Sequence, residues 1–313
     1  MLFDVIVLLL GLVLLFVGGE ALVRGAVSLA NRLSVPALVI GLTVVGFGTS
    51  TPELLVSLEA TLLGFPDIAV GNVVGSNTAN ILLILGISAL ISPMATQIAG
   101  LPRDIAVMLA VAVLMLGLGF LGVVDWIAGI VMLAMLAAYL VYTGFSGRRD
   151  HAPDASLVIH MAGWKEALTI VGGLSMLIIG ADFLVESSTR IARLIGVSEV
   201  VIGLTIVAVG TSLPELATSA VAALRRNAEV AIGNVVGSNI FNVLGILGVT
   251  AVVQPVPIAR QIAIFDIPLM LTVSIALAVV VILLGRVSRR IAFAFLAAYA
   301  AYCVFLFQQA SAI

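Results

Sequence analysis

Charge is what this chain has least of. Asp, Glu, Lys and Arg together make up 10% of its 313 residues, less than half their share in an ordinary soluble domain. Cysteine is nearly absent: Cys303 alone excludes an intrachain disulfide and any metal site built from several thiolates. Histidine occurs twice, as His151 and His160, both in one polar stretch, so no apolar segment offers an imidazole ligand. The same absence removes the base that a serine hydrolase within the membrane would need beside its nucleophile.

Apolar residues fill the space that charge leaves, at 62% of the chain. Uncharged windows recur at Ile68–Pro102, Ile105–Val124, Val230–Ala259, Ile267–Gly285 and Ile291–Ile313. A helix needs roughly 20 mostly apolar residues to cross a bilayer. The expected fold class is therefore an all-α polytopic membrane protein. The start, "MLFDVIVLLL", carries Asp4 and has no basic residue before Arg24, which reads as a first span and not as a cleaved signal.

Shifted by 162 residues, the sequence lands on itself. "GLTVVGFGTSTPELLVSLEA" from 41 meets "GLTIVAVGTSLPELATSAVA" from 203, and "AVGNVVGSNTAN" from 69 meets "AIGNVVGSNIFN" from 231. Glu20 falls on Asp182 and Asp104 on Asp266 in the same register. Two repeats, 1–145 and 164–313, are joined by the polar connector 146–163. Each offers five spans: 3–23, 36–63, 68–92, 104–122 and 124–144, then 165–187, 198–224, 229–253, 262–284 and 290–308. An odd number of spans forces the second repeat to enter from the opposite side, giving ten transmembrane helices as two inverted five-helix repeats.

Basic residues orient this arrangement. With the N-terminus outside, eleven lie at inner positions: Arg24, Arg32, Arg103, Arg148, Arg149, Lys165, Arg225, Arg226, Arg286, Arg289 and Arg290. Only Arg190, Arg193 and Arg260 lie at outer ones. By the positive-inside rule both termini face outward and the 146–163 connector faces the cytoplasm. Trp126 and Trp164 fall at span ends, where interfacial anchors and plain packing explain them equally.

Two acids sit inside the repeated blocks. Glu53 follows Pro52 in "GTSTPEL", and Glu215 follows Pro214 in "GTSLPEL". An ionisable side chain at membrane depth faces a cavity or a pathway, or else serves as a protonated strut between helices. Each proline removes an N–H and clashes with the carbonyl four residues back, at Gly48 and at Gly210. A kink made only for packing is one reading of this. The break, however, is lined with hydroxyls, Thr49, Ser50 and Thr51 in one copy and Thr211 and Ser212 in the other, and irregular backbone at this depth is tolerated where it lines a cavity.

The second block adds Ser76 with Asn80 and Ser238 with Asn242, each pair four residues apart and so on one helix face. Gly71 with Gly75, and Gly233 with Gly237, have the spacing of close helix contacts. Asn72, Asn77, Asn234 and Asn239 fall elsewhere on the turn and are expected to bond helix to helix in preference to serving as ligands. Carboxylates, hydroxyls, amide oxygens and freed carbonyls form an all-oxygen donor set. It suits a hard cation such as Ca²⁺, and two glutamates balance one divalent charge. Zinc and copper prefer nitrogen and sulfur.

The doubled "GTSTPEL…GNVVGSNTAN" and "GTSLPEL…GNVVGSNIFN" resemble the two α-repeats of the sodium/calcium exchanger family, within the cation/calcium antiporter superfamily. The resemblance covers nearly the whole chain. It implies Na⁺/Ca²⁺ antiport across the plasma membrane by alternating access, with long first and sixth helices sliding against the rest. Motif by motif, it places ion ligands at Thr49, Ser50, Glu53, Ser76 and Asn80, and at Thr211, Ser212, Glu215, Ser238 and Asn242, with backbone oxygens from Gly46 and Ala208. The "GNxxE" repeat of the proton/calcium branch is missing. Some relatives carry an acid where this chain has Asn242, so the site holds two carboxylates and not three, which argues against K⁺ co-transport. The short connector has no room for the regulatory domains of animal members, and a prokaryotic membrane is the expected home. A transporter and not an enzyme is implied, with Ca²⁺ and Na⁺ as substrates, the lipid bilayer as surroundings, and no cofactor, nucleic acid or protein partner. Exchange of H⁺ for Ca²⁺ or another divalent cation is the alternative. A channel would use the same oxygens without obligatory exchange.

Overall fold

A computed structural model describes residues 2–149, 161–194 and 210–311. The chain is a multi-pass helical membrane protein. Its helices are α1 Leu2–Leu33, α2 Ala37–Thr49, α3 Thr51–Leu62, α4 Pro66–Ile91, α5 Leu101–Leu121 and α6 Trp126–Arg149. The second repeat contributes α7 Gly163–Leu194, α8 Leu213–Leu224, α9 Ala228–Val253, α10 Ile262–Leu284 and α11 Arg289–Ser311. Among the described residues, eight helices are long and apolar enough to cross a membrane, and the bent pair α2–α3 makes nine. Of the expected span 198–224, only the part from Gly210 onward lies within the described residues.

The first span of each repeat is longer than its apolar stretch suggests. Instead of 3–23 and 165–187, α1 and α7 each run for 32 residues. That is about 48 Å of helix against a hydrocarbon layer of about 30 Å. Ion pairs carry the ends through. Arg190 binds Asp4 at 2.8 Å, Arg32 binds the buried Glu166 at 2.7 Å, and Ser28 donates to the other oxygen of Glu166 at 2.9 Å. Arg24, Arg32, Arg190 and Arg193, assigned to loops by the sequence, thus lie on helices.

α1 and α7 pack on a glycine seam. A methyl group on Gly18 would stand 2.8 Å from the Gly173 carbonyl oxygen, and one on Gly11 would stand 2.8 Å from that of Gly180. Contact positions that rise along one helix fall along the other, so these repeat-mates run antiparallel. In lipid, where apolar surface gives helices no reason to leave the solvent, such backbone approach supplies the attraction.

The remaining helices enclose a core from both repeats, in which α4 and α9 are the most buried spans. Two short antiparallel ribbons bind the halves together: β1 (Met94–Ala95) pairs with β4 (Arg286–Val287), and β2 (Val123–Val124) with β3 (Val256–Pro257). The paired aspartates brace the outer helices, Asp104 accepting from Tyr139 of α6 at 3.3 Å and Asp266 from Tyr302 of α11 at 3.1 Å.

π-helical turns are the feature the sequence did not announce. They occur at Gly41–Val45, Asn80–Ile84, Asn242–Leu247, Ile262–Asp266 and Val280–Leu284. Such turns are rare and collect at functional sites. Two of them begin at the repeat-mates Asn80 and Asn242.

Candidate cation site

The proline-marked break is real. α2 and α3 meet at an angle of 43°, with Ser50 between them at φ −83°, ψ 9°. Ser212, before α8, has nearly the same backbone at φ −86°, ψ 6°. Pro52 and Pro214 occupy the first turns of α3 and α8. Glu53 and Glu215 follow them, each at a helix N-terminus whose dipole favours a carboxylate.

Both carboxylates are buried, at 1% exposure, and each is held from the opposite repeat. Ser50 Oγ donates to Glu215 Oε1 at 2.9 Å, and Ser212 Oγ donates to Glu53 Oε1 at 3.3 Å. Behind them, Asn72 Nδ2 reaches the Glu53 carbonyl at 3.1 Å and Ser57 Oγ at 2.9 Å. Asn234 Nδ2 repeats this with the Glu215 carbonyl at 3.2 Å and Ser219 Oγ at 2.9 Å. The four asparagines expected to bond between helices all do so. Ser57 and Ser219 were overlooked in the sequence, although they recur in the matched blocks at the same offset as the glutamates.

Thr49 lies where acceptors outnumber hydrogens. Its hydroxyl is 3.1 Å from the Val45 carbonyl, 3.4 Å from that of Gly46 and 3.1 Å from Asn234 Oδ1. Ser238 Oγ approaches the same Gly46 carbonyl at 3.3 Å. One hydroxyl hydrogen cannot satisfy three acceptors. α2 comes this close to α9 because both lack side chains there: a methyl on Gly41 would lie 3.2 Å from the Gly233 Cα.

Ser76 is buried one turn before Asn80. Thr211 is half-buried in the turn before Ser212. Ala208, the counterpart of Gly46, lies outside the described residues. The structure thus bonds Ser238 and Thr49 to Gly46, Thr49 through Asn234 to Glu215, Ser50 to Glu215 and Ser212 to Glu53, and it links Asn80 and Asn242 to each other through Asn239 and Asn77.

Nine buried side-chain oxygens have no hydrogen-bond partner among the described residues, and four of them belong to expected ligands: Glu53 Oε2, Glu215 Oε2, Asn80 Oδ1 and Asn242 Oδ1. These four are two pairs of repeat-mates. A buried acceptor without a partner is costly, and a cation is one partner that such oxygens can share. Only oxygen is offered, and no group of three or more His, Cys, Asp or Glu that could hold a metal occurs among the described residues. A hard cation fits this set.

The model of the sodium/calcium exchanger protein family matches residues 3–145 and 165–308, one stretch for each repeat. The chain belongs to the sodium/calcium exchanger family. It is 34% identical to sodium/calcium exchanger MaX1 of Methanosarcina acetivorans, covering 96% of this chain and 98% of that one. It is 36% identical to the putative antiporter CaxA of Alkalimonas amylolytica, covering 92% of this chain and 93% of that one. Among solved structures, the sodium-calcium exchanger NCX_Mj, soaked with zero Na⁺ and Ca²⁺, matches with a TM-score of 0.85 and 33% identity over 97% of this chain and 98% of that one. As a member of this family the chain is a cation/calcium antiporter.

Proposed function

We propose that the protein exchanges Na⁺ for Ca²⁺ across a prokaryotic plasma membrane by alternating access, with both ions bound at mid-membrane between two inverted five-helix repeats. The repeats are residues 1–145 and 164–313, and the site comprises Gly46, Thr49, Ser50, Glu53, Ser76 and Asn80 with Ala208, Thr211, Ser212, Glu215, Ser238 and Asn242. The observation that carries this is the quartet of buried oxygens on Glu53, Glu215, Asn80 and Asn242 that have no partner among the described residues. Two carboxylates neutralise one Ca²⁺ or more than one Na⁺. Either occupant cancels the attraction for the other, and that competition is the coupling. Both termini face outward and the connector faces the cytoplasm, as the basic residues argue. The family contains relatives named for sodium and calcium, which supports Na⁺ as the driving ion.

The deciding experiment is ⁴⁵Ca²⁺ uptake into proteoliposomes loaded with Na⁺, beside liposomes given only a pH gradient. Uptake with the Na⁺ gradient and none with the pH gradient supports this function. Uptake driven by the pH gradient alone assigns the exchange to protons, and Ca²⁺ conductance without a counter-ion makes the protein a channel.

A further inference from the structure

Asn77 and Asn239 are buried and bond between helices. Their bonds determine what Asn80 and Asn242 can offer an ion. A backbone carbonyl only accepts, so the branch of the Asn77 amide that lies 3.1 Å from the Asn239 carbonyl is the nitrogen. The oxygen of Asn77 is therefore on the other branch. There it meets Asn242 at 3.0 Å, and the meeting atom of Asn242 must be its own nitrogen. The opposite half repeats the pattern. Asn239 Nδ2 donates to the Asn77 carbonyl at 3.3 Å, leaving Asn239 Oδ1 to accept from Asn80 Nδ2 at 2.9 Å. Two backbone carbonyls thus fix four amides in sequence. What remains at the ends of the chain is Asn80 Oδ1 and Asn242 Oδ1, both buried and without a donor among the described residues.

We infer that Asn77 and Asn239 are positioning residues that lock the amides of Asn242 and Asn80, crosswise between the repeats, so that oxygen and never nitrogen faces the transported cation. The inference rests on the cation-site reading of Asn80 and Asn242. Without the lock each amide can turn its NH₂ toward a positive ion, which repels it. Groups that orient a ligand in this way commonly matter nearly as much as the ligand itself. The two-fold pattern also makes the coupling specific: Asn77 governs Asn242, and Asn239 governs Asn80.

A double-mutant cycle tests this on the full-length protein in detergent, with Ca²⁺ binding measured by titration calorimetry in Na⁺-free buffer. Asn77→Ala and Asn242→Ala are each expected to weaken Ca²⁺ binding by about three- to tenfold, the worth of one hydrogen bond. The double variant is expected to bind within about twofold of Asn242→Ala alone, because no oxygen remains to be oriented. Asn77→Ala combined with Asn80→Ala is expected to show the product of its single effects. A residue that merely packs would give a product in both combinations, and that result overturns the inference while leaving the cation site intact. If instead Asn242→Ala and Asn80→Ala bind Ca²⁺ normally, the cation-site reading of those amides fails, and this inference falls with it. Should Asn77→Ala not yield a single species on gel filtration, the mirror cycle of Asn239 with Asn80 tests the same coupling with the same expected outcomes.

Discussion

Ser50 donates its hydroxyl to Glu215 across the two repeats at 2.9 Å, and Ser212 returns the bond to Glu53 at 3.3 Å. Neither repeat completes its own carboxylate. Each glutamate has one oxygen tethered by the other half and one left without a donor among the described residues. The tether fixes where the free oxygen points, so in the proposed site each serine would act on the ion through the glutamate as well as directly.

Removing the tether should therefore cost affinity. Hydrogen bonds to charged groups are worth about 1.5–3 kcal/mol, and about 1.4 kcal/mol is tenfold in binding. Ser50→Ala and Ser212→Ala are each expected to weaken Ca²⁺ binding at least tenfold. The loss in Ser50→Ala should shrink when Glu215 is already Gln. Calorimetry on the two single variants and the combination measures this, and simple additivity would separate the serine from its glutamate.

The glycine seam between α1 and α7 leads to a prediction of a different kind. A side chain on Gly173 would meet the backbone at Leu22 and Gly18 within 3 Å, with no flexible atom able to yield. Gly173→Val is expected to push the two helices apart and lower the melting temperature by several degrees, as an overpacked contact costing about 1–3 kcal/mol does. Gly172, one residue earlier, has nothing within 4 Å of an added methyl, so Gly172→Ala is the control that should melt as the parent does. Equal melting of both variants would show that the seam is loose.

Much of this was legible in the sequence because the repeat supplied its own test. Glu53 and Glu215 are marked by their prolines, and the break that Pro52 forecasts is the 43° bend at Ser50. Helix length was not legible, since apolarity fades near Glu20 and Asp182 while the helices run on to Leu33 and Leu194. Ion pairs such as Arg190–Asp4, 186 residues apart, give the polar ends their partners, and no local pattern reveals a partner that distant. The π-helical turns at Asn80 and Asn242 were hidden for a similar reason. An extra residue in one turn depends on how neighbouring helices pack and leaves the hydrophobic spacing almost unchanged.

Orientation in the membrane has a direct test. With Cys303 replaced, a cysteine at Asp67, exposed at the start of α4, should react with an impermeant maleimide added outside sealed cells. One at His151 in the connector should react only after lysis. Labelling of the His151 position from outside would invert the topology drawn from the basic residues.

The glutamates themselves separate a strut from an ion site. Glu53→Gln keeps the size of the side chain and keeps an oxygen able to accept from Ser212, and Glu215→Gln does the same for Ser50. If these bonds only brace the helices, both variants fold and transport. If the carboxylates face a divalent ion, each substitution takes one negative charge from beside it. Breaking one side of a buried charge pair costs about 3–5 kcal/mol, which at about 1.4 kcal/mol per decade is two orders of magnitude or more. Na⁺-driven ⁴⁵Ca²⁺ flux in proteoliposomes at matched protein density should fall by that much in either variant, while each still elutes as a single species. The two losses should be similar, because the crosswise serine bonds make Glu53 and Glu215 counterparts in one site. Flux close to that of the parent in either variant would take that glutamate out of the ion site and return it to the role of a brace between helices.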